Sequence, residues 1–301
     1  KIWRLAVSDF FLFCGSIIHS GYIQALQKIS MKTGSFEFNK QQMGYTKTGT
    51  GPAVVLLHGF GEDHHIFNGT VTILEKTYTV YTPDLIGTGM SQFNATTPIT
   101  NFSIEYLADS IAALIEYEKI ETCILLGHSM GGYVTVAFAK KYPQYLKGFG
   151  LLHSTALPDS PLKIENRTRG ISFIQKFGAT AFLETTANNL FGTFTQKNQP
   201  HIITDFIQSM PAFSNVALHF YYQAMMARPD LTHVLATTTL PVLFILGTHD
   251  IAVALEDTIP QTKIPKTAYL YVLENCGHMG MLEQPINFNN AVLDFLDKVN
   301  A

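Results

Sequence analysis

A chain of 301 residues that is 47% hydrophobic and only 14% charged can bury a substantial interior, which excludes an intrinsically disordered protein. Twenty Lys and Arg against 23 Asp and Glu give a formal net charge of −3, and no basic run or basic-aromatic stripe is present, so the sequence offers no nucleic-acid surface. Cys14, Cys123 and Cys276 lack any C-x-x-C spacing, which speaks against a disulfide framework or a structural zinc site and for free thiols.

Residues 1–30 form an N-terminal extension of uncertain status, with an apolar segment from Leu5 to Ile18. Lys1 and Arg4 suit the positive end of a signal peptide, which would mean secretion, but Asp9 interrupts the apolar run and no small-x-small cleavage site follows. The segment is also too short for stable membrane insertion. We favour translation from Met31, with residues 1–30 outside the natural protein and a cytoplasmic location.

The stretch from Phe36 to Tyr45 reads as a hairpin, broken by Gly49, Gly51 and Pro52. Ala53–Leu57 is then a continuous apolar run, as expected of a strand buried on both faces of a parallel sheet. Similar runs recur at Thr79–Tyr81, Cys123–Leu126, Phe149–Leu152, Val242–Leu246 and Tyr269–Leu273. Helical periodicity marks Ile104–Tyr117, Gly131–Lys141 and Ile286–Val299. This alternation predicts an α/β fold: a doubly wound, mostly parallel sheet whose ligand site lies beyond the carboxyl ends of its strands. The rhythm fails between Thr155 and Thr239, where helix-like stretches rich in Phe, Met and Tyr carry no strand signal. We read residues 31–154 and 240–301 as the core and 155–239 as an inserted helical cap.

Gly127-His128-Ser129-Met130-Gly131 is a G-x-S-x-G sequence placed directly between a strand and a helix. A sharp turn there needs small residues on either side and lifts the serine hydroxyl above the sheet. Because a hydroxyl is a weak nucleophile, it needs a histidine base and an acid to orient that base. Asp250, in Gly247-Thr248-His249-Asp250, and His278, in Cys276-Gly277-His278-Met279-Gly280, follow successive strands and supply both. The chain order Ser129, Asp250, His278 is the one such folds use; Asp257 and His249 are displaced from the strand ends. His58-Gly59-Phe60-Gly61 follows the first parallel strand, and the backbone amides of Phe60 and Met130 are the expected oxyanion donors. His58 is expected to be structural.

These motifs, together with Pro83-Asp84-Leu85-Ile86-Gly87-Thr88-Gly89-Met90-Ser91, which is similar to a D-x-x-G-x-G-x-S loop, resemble the α/β-hydrolase superfamily over roughly residues 40 to 300. The resemblance implies an α/β-hydrolase fold with a helical cap and a cofactor-free, metal-free serine hydrolase acting on a small-molecule ester. A C–C bond hydrolase or enol-lactonase on the same triad, and a non-catalytic ligand receptor, are the alternatives it leaves open. Asp84 is expected to be structural. His128, Phe191, Phe194, Tyr222, Met226 and Met279 are candidates for the substrate pocket, and Phe206, Phe213, Phe220, Tyr221 and Met225 add to an aromatic and Met-rich cap. Arg167, Arg169 and Arg228 suit a substrate carboxylate or structural salt bridges. Glu62-Asp63-His64-His65 is read as a solvated loop rather than a metal site.

Overall fold

The apolar runs pair into one eight-stranded sheet of order β1-β2-β4-β3-β5-β6-β7-β8. A computed structural model describes residues 32–94 and 100–301, so the N-terminal extension, the expected start at Met31 and Cys14 lie outside the described residues. The strands are β1 Lys32–Phe38, β2 Gln41–Thr48, β3 Ala53–Leu57, β4 Thr79–Pro83, β5 Cys123–His128, β6 Leu146–Leu152, β7 Val242–Gly247 and β8 Ala268–Leu273. The hairpin is longer than the Phe36–Tyr45 expectation and turns on Asn39 and Lys40, both at positive φ (49° and 62°), as a two-residue hairpin turn requires. It joins the sheet antiparallel through β2 and β4, and every later pairing is parallel.

The helices are α1 Asn68–Leu74, α2 Ile104–Tyr117, α3 Met130–Lys141, α4 Pro161–Phe177, α5 Ala179–Ala187, α6 Thr193–Asn198, α7 Pro200–Ser209, α8 Asn215–Ala227, α9 Thr232–Thr237, α10 Leu255–Thr258, α11 Gly280–Glu283 and α12 Pro285–Asn300. Helix α2 starts where the Ser103 hydroxyl accepts the Tyr106 N–H at 3.0 Å, and its Ile104, Leu107, Ala108, Ile111, Leu114 and Ile115 form one buried stripe.

Because strand side chains alternate, each central strand feeds two cores. Val55, Leu57, Leu125 and Phe244 face the layer containing α2 and α3, whereas Val54, Leu56, Ile124, Leu126 and Ile245 face the layer containing α1 and α12. β8 departs from the expectation of full burial: as the last strand it is mostly half-buried. Helices α4 to α9 lie between β6 and β7, and no strand interrupts them among the described residues. Among those residues, no helix is long and apolar enough to cross a membrane.

Candidate active site

Ser129 joins β5 to α3 with φ 51° and ψ −116°, a conformation that costs a non-glycine residue about 1–3 kcal/mol. Packing holds it there. Its N–H donates to the Leu152 carbonyl at 3.0 Å, and its own carbonyl accepts the Ser154 hydroxyl at 2.6 Å. A Cβ at Gly127 would lie 2.2 Å from the Gly131 carbonyl oxygen, and one at Gly131 would lie 2.3 Å from that of Leu57, so the turn can close only with glycine at both places. Met130 is the first residue of α3, where an N–H has no intrahelical acceptor and sits at the positive end of the helix.

The loops after β7 and β8 bring the expected acid and base together. His278 Nδ1 and Asp250 Oδ2 are 2.8 Å apart, and both side chains are buried. Asp250 Oδ1 accepts the N–H groups of Ala252 and Val253 at 2.9 and 2.8 Å, which fixes the carboxylate plane. Burial alone would raise the Asp250 pKa, but the neighbouring His278 and the hydrogen bonds from His153 and His278 overcome it and hold the carboxyl well below its usual range.

His153 was not anticipated. It follows β6, and its Nδ1 also faces Asp250 Oδ2, at 3.2 Å, while its Nε2 is buried without a partner. Burial lowers its pKa, which keeps the ring neutral. The His278 loop is itself anchored from the helical segment: the His278 N–H donates to Leu190, and the Glu283 carboxylate accepts the N–H groups of Gly277 and Gly192. Of the displaced alternatives, Asp257 is exposed on α10, and His249 Nδ1 pairs with the Thr193 hydroxyl at 3.2 Å.

The loop after β3 corrects the sequence reading. Glu62, Asp63 and His64 are buried and only His65 reaches solvent, because each polar side chain has a partner within the fold. Glu62 Oε2 accepts the Gly59 N–H at 2.6 Å and lies 3.0 Å from His128 Nδ1; Asp63 accepts the His65 N–H; His64 pairs with Asp84. Asp84 also accepts the Met90 N–H at 2.8 Å and so organises its own loop. His58 is buried, with Nε2 accepting the Leu85 N–H at 2.9 Å and Nδ1 facing the Gly59 carbonyl.

Asp63, His64 and His65 hold potential ligand atoms within 4.8 Å of one another, as do His153, Asp250 and His278. In the second group the hydrogen bonds to Asp250 account for the closeness; in the first, His64 is turned toward Asp84 and His65 toward Asp63. Cys123 and Cys276 are buried free thiols, and burial pushes Cys123 up to about 12.

Ser129 and His278 line one cavity of about 180 Å³, together with Phe60, Tyr133, Arg167 and Tyr222. Of the six residues expected in the pocket, Tyr222 is there and the other five are placed elsewhere. His128 is fully buried beneath the elbow. Phe191 and Met279 belong to the core on the α12 side, Phe194 is about half exposed, and Met226 receives the Thr168 hydroxyl while its neighbour Met225 lines the cavity. Phe60 stacks face to face on Tyr222 (centroids 4.4 Å apart, planes at 4°) and meets Phe182 edge-on. Arg167 and Arg228 share Asp159, at 2.6 and 2.8 Å, and the Arg228 guanidinium lies 3.8 Å over the Tyr133 ring. Arg169 pairs with Glu165 at the surface.

Ser129 is thus set on a strained turn, Asp250 is paired with His278, and Ser129 and His278 share a cavity with Phe60. The chain is similar to several known proteins. A pimeloyl-[acyl-carrier protein] methyl ester esterase of Aeromonas hydrophila is 26% identical over 261 residues, covering 82% of this chain and 96% of its own. A malate-bound thermophilic esterase from Thermogutta terrifontis superposes with a TM-score of 0.81 at 29% identity, over 90% of this chain and all of its own. An uncharacterized protein of Mycobacterium tuberculosis is 36% identical over 96 residues, 32% of this chain, and the match spans only 27% of that relative's length. Residues 52–285 match the alpha/beta hydrolase fold family, and the chain belongs to that family.

Proposed function

We propose that the chain hydrolyses a carboxylic ester of a small molecule through an acyl-enzyme on Ser129, with residues 155–239 as the cap over the site. The observation that carries this reading is the His278–Asp250 hydrogen bond at 2.8 Å, with Ser129 on the same cavity as His278. With Nδ1 committed to Asp250, Nε2 is the nitrogen left to take the Ser129 proton as Oγ attacks the acyl carbon. Asp250 orients the ring and stabilises the imidazolium that forms. The amides of Phe60 and Met130 receive the oxyanion; His278 then returns its proton to the leaving alcohol, and water releases the acid by the reverse path.

A volume of about 180 Å³ lies below the ~300–1,000 Å³ typical of drug-sized ligand sites, which favours a short acyl chain or a small ring. Replacement Ser129→Ala is expected to cut turnover of a chromogenic short-chain ester by about 10⁶-fold and abolish labelling by a fluorophosphonate. Wild-type turnover in that variant would refute the nucleophile, and absence of labelling in the folded wild type would favour a receptor.

One observation favours a second substrate class on the same machinery. Arg167 lines the cavity with its side chain 19% exposed, and it shares a single carboxylate, Asp159, with Arg228. That excess positive charge suits an acidic acyl group, such as that of an enol-lactone or a C–C bond hydrolase substrate. Turnover of a neutral ester compared with that of an enol-lactone separates the two.

A further inference from the structure

His128 meets only acceptors. Its Nδ1 is 3.0 Å from Glu62 Oε2 and its Nε2 is 2.9 Å from the carbonyl oxygen of His278. A carbonyl and an ionised carboxylate have no proton to give, and a neutral imidazole has only one N–H, so both contacts are hydrogen bonds only when the ring carries two protons. His58 shows the contrast: its Nε2 accepts the Leu85 N–H at 2.9 Å and its Nδ1 faces the Gly59 carbonyl, so a single ring N–H satisfies both contacts. The same Glu62 oxygen accepts the Gly59 N–H at 2.6 Å, a short contact typical of an ionised acceptor.

We propose that Glu62 and His128 form a buried carboxylate–imidazolium pair that positions the catalytic parts, tying the oxyanion loop and the His278 loop to the nucleophile elbow. Each end of the pair grips a different piece. Glu62 holds Gly59, next to Phe60; His128 precedes Ser129 in the chain; and the far nitrogen of His128 holds the backbone of the base. Both side chains are buried, 3% and 0% exposed, and Glu62 also lines the cavity shared by Ser129 and His278, so loss of either partner leaves the other charge largely desolvated. Burial opposes both charges, yet their mutual attraction outweighs it, leaving Glu62 lowered and His128 raised. The titratable groups around the pair are His58 after β3, His153 after β6, Asp250 after β7 and His278 after β8. This role rests on the serine-hydrolase reading, but the charge state of the pair does not.

Nitrogen-15 NMR of the full chain labelled at histidine, with His128 assigned by through-bond correlation, reads that charge state without any turnover. At about pH 8, where an unperturbed histidine is neutral, His128 is expected to show the two near-equal shifts of an imidazolium. A neutral ring there overturns the pair. In kinetics with a short-chain ester, Glu62→Leu is expected to lower kcat about 100-fold and Glu62→Gln, which retains an acceptor for Gly59, about 10-fold, with KM within about threefold in both. Fluorophosphonate labelling of Ser129 should slow in step. Folded Glu62→Leu protein with wild-type kcat overturns the positioning role, and the NMR result decides the pair should that variant not fold. If Ser129→Ala retains turnover while His128 is an imidazolium, the hydrolase reading has failed and the pair has not.

Discussion

The loops at the carboxyl ends of the strands and the helical segment between β6 and β7 meet at one cavity but are held in different ways. The loops are fixed by backbone hydrogen bonds and buried charge: Ser129 to Leu152, Asp250 to Ala252 and Val253, Glu62 to Gly59 and His128. The helical segment meets the His278 loop through the Leu190 carbonyl and the Gly192 N–H, and elsewhere reaches the loops through rings and side-chain tips, with Phe60 stacked on Tyr222 and edge-on to Phe182, and the Tyr221 hydroxyl donating to the Ile86 carbonyl. Directional bonds hold atoms to fractions of an ångström, whereas stacked rings fill space with little directional demand. On the proposed function, chemistry falls to the loops and substrate choice to the helical segment, so substitutions in the first should fall on kcat and those in the second on KM.

The largest expected effect that tests this division is Asp250→Asn, which keeps an acceptor for Ala252 and Val253 but removes the charge that orients His278. A loss of about 10⁴-fold in kcat with KM little changed is expected from steady-state kinetics. A change confined to KM would break the comparison. Tyr222→Ala removes the face of the Phe60 stack and enlarges the cavity; KM for a short ester should rise roughly tenfold, with a melting temperature lowered by an amount consistent with about 3–5 kcal/mol of lost burial. A fall in kcat alone would place Tyr222 with the chemistry instead.

Arg167→Met sharpens the substrate side. The ratio of kcat/KM for a dicarboxylic monoester to that for a neutral ester should fall roughly tenfold, about the worth of one charge-assisted hydrogen bond. An unchanged ratio would remove the acidic acyl group from consideration.

The smallest effect is on stability. Glu62, Asp84 and Asp250 on the loops, and Asp159 beside α4, are all held below the ordinary carboxylate range: burial raises each, and neighbouring His or Arg side chains overcome it. A carboxyl depressed in the folded state adds stability above its unfolded pKa, roughly 4, and loses it as pH falls toward the folded value. The melting temperature should thus fall as pH drops below about 4, where these carboxyls take up protons. A melting temperature that rises as pH drops from about 4 to 3 would contradict these carboxylate pairings.

Much of this arrangement was legible before any coordinates. Apolar runs of three to five residues marked the parallel strands because a strand buried on both faces has no polar side to show, and Gly127 and Gly131 flanking the elbow marked a turn too tight for larger side chains there. Asp250 and His278 stood out by following such strands, and the structure brings their side chains into contact. The loop from Glu62 to His65 misled for a physical reason: four polar residues in a row resemble a solvated surface unless their partners are known, and those of Glu62 and His64 lie 66 and 20 residues away. The pocket misled likewise, since rings in a helix-rich segment have the same composition whether they line a cavity or fill a core.

What the sequence by itself determined was the order of strands and helices and the residue types at the strand ends, because period, glycine and motif spacing are local properties of the chain. What only the tertiary structure decided was which buried polar groups face one another. His153 on Asp250, Glu62 on His128 and Arg167 on the cavity wall join segments distant in the chain, and such pairings exist only once the sheet has set its strand ends side by side.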